Sequence, residues 1–324
     1  MRILIVADPI ESFKTYKDST YAIMVAAVAR GHTLAFCEQP QLFLDGGHAW
    51  ADAAPLELVG PQLGTDGHDP HAWWRFGETR AERLSAFDAV LMRKDPPFDL
   101  EYVYSTYLLE HAVREGARVF NSPRAVRDHS EKYAIAEFPQ FTADTMVTRD
   151  PARLRQFVQR HGEAVFKLLD GMGGASIFRA RTGDANLSVI VETMNQFGAR
   201  SVMAQRYLPA IADGDKRVLL IGGQVVPFAL ARIPKLGESR GNLAAGGTGR
   251  AQPLSARDRE IADTLAPVLH ARGLFLVGLD VIGDCLTEIN VTSPTCFREI
   301  VAQTGFDVAD LFVARLEVEA GAPR

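Results

Sequence analysis

The side chains with the clearest chemical potential are Asp280, Glu288 and Asn290, all within GLDVIGDCLTEINVTSPT (278–295). Two apolar runs flank Gly283 and Asp284, so the segment reads as two paired strands joined by a turn. Side chains alternate faces along a strand, which puts Glu288 and Asn290 on one side. An odd loop such as Gly283-Asp284-Cys285 places Asp280 opposite Glu288 and Gly278 opposite Asn290. A two-residue loop sends Asp280 to the wrong side. Leu279, Val281, Thr287 and Ile289 then form a core face. Hard oxygen donors on one face suit magnesium, whose shell is completed by water and nucleotide phosphates. The same pattern also fits a polar sheet edge facing solvent.

Cations and glycines elsewhere point toward anions. DGMGG (170–174) follows the apolar run VFKLL. Its glycines let backbone N–H groups turn toward an anion, although the loop matches neither a Walker loop nor GxGxxG and also fits a plain hairpin turn. Lys167 sits among Val165, Phe166, Leu168 and Leu169, where a cation needs an anion or solvent. Lys132 is a second candidate, equally readable as a solvated helix lysine. Arg217 and Arg232 flank the open end of the hairpin VLLIGGQVVPFALA. Arginine binds carboxylate or phosphate bidentately and stays charged, though surface ion pairing suits both positions as well. The run IPKLGESRGNLAAGGTGR (233–250) reads either as a functional lid or as a surface excursion. Arg240 within it suggests a closed state with an anion partner.

These groups need a scaffold. At 324 residues the chain exceeds the usual single core, so two or three subdomains are expected. Residues 2–7 read as a buried strand. A helix capped by Ser19 runs to Gly31, and a second strand covers 33–37. The stretch 45–80 reads as loops with a hairpin. DAVLMRK (88–94) is a strand ending in KDPPFD, followed by a helix that stops at Gly116 and a strand in ARVFNSP. Strands separated by helices imply a parallel sheet. Beyond about 125, strands alternate with Gly-rich turns. A helix from Ser255 to Arg272, strands 274–282 and 285–291, and two closing helices follow.

Composition narrows the function. A net charge of −5 without a basic block gives no footprint for nucleic acid. Cys37, Cys285 and Cys296 are odd in number and lack CxxC spacing, which argues against a disulfide framework or zinc ribbon. The apolar runs are too short to span a membrane, and the first stops at Asp8 and Pro9 before reaching signal-peptide length. A cytoplasmic protein is expected.

The pieces occur in an order that resembles bacterial glutathione synthetases of the ATP-grasp superfamily. The resemblance runs through LMRKDPPFD, KLLDGMGGASIFR, DGDKRVLL, ARIPKLGESRGNLAAGG and VGLDVIGDCLTEINVTSPTC, and MRILIVADPI and KDSTYA extend it to the N-terminus. RGNLAAGG and TEINVTSPT are specific for that family, whereas KLGES is less Gly-rich than its pattern and 45–80 matches poorly. The resemblance implies an α/β chain: an N-terminal parallel-sheet substrate domain (1–124), then an ATP-grasp fold made of a lid (125–204) and a C-terminal antiparallel-sheet catalytic domain (205–324). ATP would lie between two antiparallel sheets. Lys132 and Lys167 are implied as phosphate ligands, Gly171, Gly173 and Gly174 as the closing loop, and Gln205, Tyr207, Leu208 and Asp215 as nucleotide contacts. Arg217, Arg232 and Arg240 are implied to hold substrate or the long loop. Arg93, Ser293, Thr295 and the KDST segment (17–20) are implied to contact the substrates. Asp280, Glu288 and Asn290 would hold Mg2+, with Mn2+ possible. The implied reaction joins γ-glutamylcysteine to glycine through an acyl phosphate, in a homotetramer that needs neither nucleic acid nor membrane. An ATP-grasp ligase with another acceptor, and a non-catalytic ATP-binding protein, are the competing readings.

Overall fold

The computed structural model describes residues 1–59, 73–171, 176–235, 241 and 246–321. β1 (Arg2–Ala7) is buried from Ile3 onward because its side chains are apolar and both faces of the strand are covered. α1 (Ser19–Ala29) is capped one residue earlier than expected, by Asp18. The Asp18 carboxylate accepts the Tyr21 N–H at 2.8 Å, and an anionic cap also suits the helix dipole. The Ser19 hydroxyl instead accepts the N–H of Phe297 at 3.2 Å.

β2 (Thr33–Glu38), β3 (Leu42–Asp45), β4 (His48–Leu58), β5 (Trp74–Phe76), β6 (Arg80–Arg83), β7 (Ala89–Met92), α2 (Leu100–Arg114), β8 (Val119–Phe120) and α3 (Pro123–Asp128) complete the first unit. The sheet order is β3-β4-β2-β1-β7-β8, with β5 and β6 also pairing with β4. β2, β1, β7 and β8 run parallel, as strand–helix alternation requires. β4 is antiparallel to β2, β3, β5 and β6, so the sheet is mixed. The stretch expected to be mostly loop therefore holds an 11-residue strand. Its buried face is built from Ala49, Ala51 and Ala53, whose weak hydrophobicity hides the two-residue period. Residues 60–72 of that stretch lie outside the described residues.

β9 (Thr145–Thr148), α4 (Pro151–His161), β10 (Glu163–Leu168), β11 (Phe178–Arg181), α5 (Leu187–Asn195) and β12 (Val202–Arg206) form a second, antiparallel sheet in the order β11-β10-β12-β9. Leu154, Phe157, Val191 and Met194 from the two helices pack on Phe166 and Ala204, giving this unit an apolar core of its own. The boundary expected at 204/205 falls inside β12. Pairing with β10 runs from Leu168↔Val202 to Ala164↔Arg206, so the strand stays with this sheet to its end.

β13 (Asp215–Ile221), β14 (Gln224–Ile233), β15 (Thr248–Pro253), α6 (Ala256–Ala271), β16 (Leu276–Ile282), β17 (Cys285–Asn290), α7 (Phe297–Thr304) and α8 (Val308–Gly321) make the third unit. Its antiparallel sheet has the order β15-β14-β13-β16-β17. The expected Gly222-Gly223 hairpin closes at Ile221↔Gln224. One continuous apolar core joins this unit to the first, with Leu4, Val6 and Val90 in the same cluster as Val218, Leu265 and Leu279.

Ser255 caps α6 in a capping box with Asp258. Asp258 is fully buried. It is ion-paired with Lys216 of β13, which also donates to the Gly283 carbonyl at 3.0 Å. Asp258→Asn keeps the cap acceptor but leaves the Lys216 ammonium uncompensated, so it should cost about 3 kcal/mol, read from the midpoint of urea unfolding.

Candidate active site

The second and third sheets face each other across a cleft of about 330 Å³. On the third sheet, Asp215 and Arg217 are two residues apart in β13 and share a face. Asp215 pairs across to Arg232 on β14, and Arg217 to Asp280 on β16. This register gathers two acids and two bases. Arg217 Nε lies 2.6 Å from Asp280 Oδ1, and Arg232 Nη2 lies 2.8 Å from Asp280 Oδ2 and 2.6 Å from Asp215 Oδ2. Burial alone would push the Asp280 carboxyl up, but Arg217 and then Arg232 hold it well below the usual carboxylate range. Burial pushes Asp215 up to about 6 against the pull of Arg232.

Gly278 makes the pair possible. A Cβ there would lie 2.8 Å from Arg217 Cδ and 3.1 Å from Nε, and the bidentate grip on Asp280 leaves the arginine stem little room to move aside.

Asp280 lies opposite Glu288 and Gly278 opposite Asn290, as the sequence suggests, but by another route. The turn has two residues, because Ile282 pairs with Cys285. A β-bulge then makes Thr287 the extra residue between the Leu286 and Glu288 pairings and restores the register. Thr287 accordingly lines the cleft instead of joining a core face, and its hydroxyl donates to the Asp280 carbonyl at 3.1 Å. Asn290 Nδ2 donates to the Gly278 carbonyl at 3.0 Å, which leaves the amide oxygen as its available donor atom. Among the described residues no group of three His, Cys, Asp or Glu side chains gathers. Two carboxylates and an amide oxygen suit a hard cation whose shell ligand and water oxygens complete.

Both lysines reach this cleft. Lys132 is buried, not a solvated helix lysine, and its Nζ lies 2.8 Å from Glu288 Oε1. Burial opposes its charge, but Glu288 raises its pKa. Nζ also donates to the Gly171 carbonyl, at the start of the glycine loop. Lys167 lines the cleft from β10 and has no hydrogen-bond or ion-pair partner among the described residues. Burial lowers its pKa, with Glu288 opposing. A partnerless cation in such a place calls for an anionic ligand.

Val165, Leu168, Ile211 and Ile282 give the cleft an apolar end, with Gln205, Tyr207 and Leu208 beside them. Gln205 donates to Thr145 Oγ1 at 3.2 Å, and the Arg179 guanidinium stacks 3.7 Å from the centroid of the Tyr207 ring. Gly173, Gly174 and Arg240 lie outside the described residues. Gly241 is described and packs on β14 so closely that a Cβ would come 2.3 Å from the Arg232 carbonyl oxygen.

A second cavity of about 280 Å³ opens beside the first, lined by Asp8, Asp18, Ser19, Thr20 and Arg93. Asp95, Ser293 and Thr295 line both cavities. Arg93 is buried, with Nε 3.2 Å from Thr20 Oγ1 and Nη2 2.9 Å from the Pro294 carbonyl, while buried Nη1 has no partner among the described residues. Burial lowers its pKa. A free, buried guanidinium nitrogen beside a cavity suits a carboxylate.

Sequence reasoning passed over Glu131 and Asp95. Glu131 lines the cleft beside Lys132, and the only signal for it was an acid directly before that lysine. The cysteines are unpaired, and burial raises the thiol pKa of Cys296 and takes that of Cys37 to about 12, so neither is an activated nucleophile.

Family models described as prokaryotic glutathione synthetase, N-terminal domain, and prokaryotic glutathione synthetase, ATP-grasp domain, match residues 1–127 and 131–305. The chain is 61% identical to a glutathione synthetase of Ralstonia nicotianae over 99% of this chain and 97% of that one. It is 56% identical to that of Bordetella bronchiseptica, covering 99% and 100%. Among solved structures, D-cycloserine synthetase DcsG is similar with a TM-score of 0.65 at 17% identity, covering 99% of this chain and 100% of that one. The ATP-grasp ligase PsnB, complexed with minimal precursor, Mg and ADP, has a TM-score of 0.61 at 17% identity, covering 99% and 98%. At such identities the likeness concerns the fold.

Gly278→Ala should displace Arg217 from Asp280 while the sheet still forms. Steady-state kinetics should show turnover falling roughly 10²-fold, as a displacement of about 1 Å within a catalytic constellation does, and circular dichroism should be unchanged.

Proposed function

The chain belongs to the prokaryotic glutathione synthetase family, and from that premise we propose how its own residues carry out the ligation. It is an ATP-dependent carboxylate–amine ligase with an ATP-grasp fold, a glutathione synthetase that uses a divalent metal. The observation that carries the assignment of roles is the meeting of two cavities. One is rich in cations and carboxylates between two antiparallel sheets, the other is beside Arg93, and they share Asp95, Ser293 and Thr295.

ATP lies in the larger cleft, its base toward Gln205, Tyr207 and Leu208 and its phosphates toward Lys132, Lys167 and the glycine loop of Gly171, Gly173 and Gly174. Asp280, Glu288 and Asn290 would hold Mg2+, and Mn2+ would suit the same oxygens; when bound, the ion would offset phosphate charge. Arg217 and Arg232 fix the Asp280 carboxylate, and Asp215 fixes Arg232 in turn. γ-Glutamylcysteine occupies the smaller cavity against Arg93 and the 17–20 segment. Its reacting carboxylate points to the junction, where Ser293 and Thr295 hold glycine.

The carboxylate oxygen attacks the γ-phosphorus, and ADP leaves with the electron pair of the broken bond. Glycine's nitrogen then attacks the acyl carbon, phosphate departs and the nitrogen gives up a proton. The protein supplies placement and charge and forms no covalent bond. Loop 233–250, through Arg240, keeps water from the acyl phosphate. In domain terms we divide the chain as 1–124, 125–204 and 205–324, except that β12 stays whole with the second unit. A cytoplasmic location is supported by three unpaired cysteines; a homotetramer rests on the family resemblance alone.

Mass spectrometry after incubation with γ-glutamylcysteine, glycine and Mg-ATP should find glutathione with one ADP per amide formed. A product only with some other acyl or amine substrate would assign a different ligation. Lys167→Met should weaken ATP binding by roughly 10- to 100-fold, the loss of one charge-assisted hydrogen bond, with fold intact by calorimetry.

A further inference from the structure

Among the described residues β17 ends its sheet, and its outer edge carries no further strand, only an isolated bridge between Thr142 and Leu286. At the functional end of that edge Glu131 stands in for the missing strand. Its backbone carbonyl accepts the Ile289 N–H at 2.9 Å. Its Oε1 accepts the next outward N–H, that of Val291, at 2.8 Å, together with the Thr292 N–H at 3.0 Å and the Thr292 hydroxyl at 2.9 Å. Lys132, the next residue, grips Glu288 on the same strand. Two consecutive residues thus hold 288 through 292 from outside the sheet. Between α3 and β9 the chain forms short 3-10 turns; these contacts tie the start of that segment to the far end of β17, and a bridge between Thr142 and Leu286 ties its end.

We propose that Glu131 is a positioning residue for the ligation, holding the turn that carries Ser293 and Thr295 at a fixed place relative to phosphate-binding Lys132. The inference rests on the substrate roles assigned above. A carboxylate here stands near a like charge on Glu288, and its partial burial raises its pKa, so the position works against an acid unless the three accepted hydrogen bonds compensate. Those bonds converge on the start of a turn that borders both cavities. ATP, by contrast, is assigned to groups of both sheets, and Lys132 holds Glu288 and the Gly171 carbonyl through contacts that do not involve the Glu131 side chain.

Loss of the clamp should therefore act on the amine acceptor and on turnover, and spare the nucleotide. In full steady-state kinetics Glu131→Ala should raise the KM for glycine and lower kcat, together cutting kcat/KM for glycine by roughly 10²-fold, with the KM for ATP shifted by less than about 3-fold. Glu131→Gln still presents an oxygen to the same donors and should recover to within about 5-fold of the parent. Thr292→Val removes one donor and should shift the glycine KM in the same direction by about 3- to 10-fold, which keeps the test open if Glu131→Ala fails to fold. Unshifted glycine kinetics, a loss of thermal stability alone, or an ATP KM rising in step would overturn the inference. A parent chain that makes no glutathione would overturn the substrate roles and the inference with them, whereas an active parent with unaffected variants overturns the inference alone.

Discussion

A carboxylate removed from water has to be met by opposite charge, and Asp280 is met by two guanidinium groups at once. Arg217 and Arg232 reach it from neighbouring strands, and Asp215 holds Arg232 from the other side. The quartet exists only in the observed register of β13, β14 and β16, since a shift of one residue would turn half of it toward the opposite face. It also dictates the glycine at 278. The arrangement fixes an ionised carboxylate at the floor of the cleft and keeps two permanent positive charges beside it, where the proposed reading brings phosphate negative charge.

The rest of the molecule serves that floor in two ways. The first and third units share one apolar core, so the cavity beside Arg93 and the charged floor belong to a single packed body. The second sheet has its own core and contributes the opposite wall, including Lys167, Val165 and Leu168. In the proposed reading, acyl substrate and floor are held together while the nucleotide is clasped from across the cleft. That division matches a reaction in which exclusion of water and relative placement do most of the catalysis.

Much of this was legible in the sequence because it follows from short-range rules. The two-residue period of β16 and β17, the Gly-Gly hairpin and the start of a helix at about Ser255 all depend on neighbours within a few positions. The N-cap at Asp18 was missed by one residue because Ser19, an equally good cap by type, is engaged by the N–H of Phe297, far along the chain. β4 was missed because alanines carry a period too faint to read. The pairing of Asp280 with Glu288 was anticipated from an odd loop, yet a two-residue turn and a bulge at Thr287 achieve it. A bulge adds a residue inside the strand, where parity counted over the turn cannot detect it.

The sequence by itself determined the class of chemistry. Its oxygen donors, lysines, arginines and glycines are typed and spaced for a cation and a phosphate, and its motifs carry the family. Tertiary structure alone decided who compensates whom. The same arginines that read as substrate ligands are spent on Asp280, the lysine that reads as solvated is paired with Glu288, and Glu131, unremarked in the chain, braces the free edge of β17. Partners of this kind are set by which strands lie side by side, and the free energy of a buried charge depends on neighbours that the order of residues along the chain does not disclose.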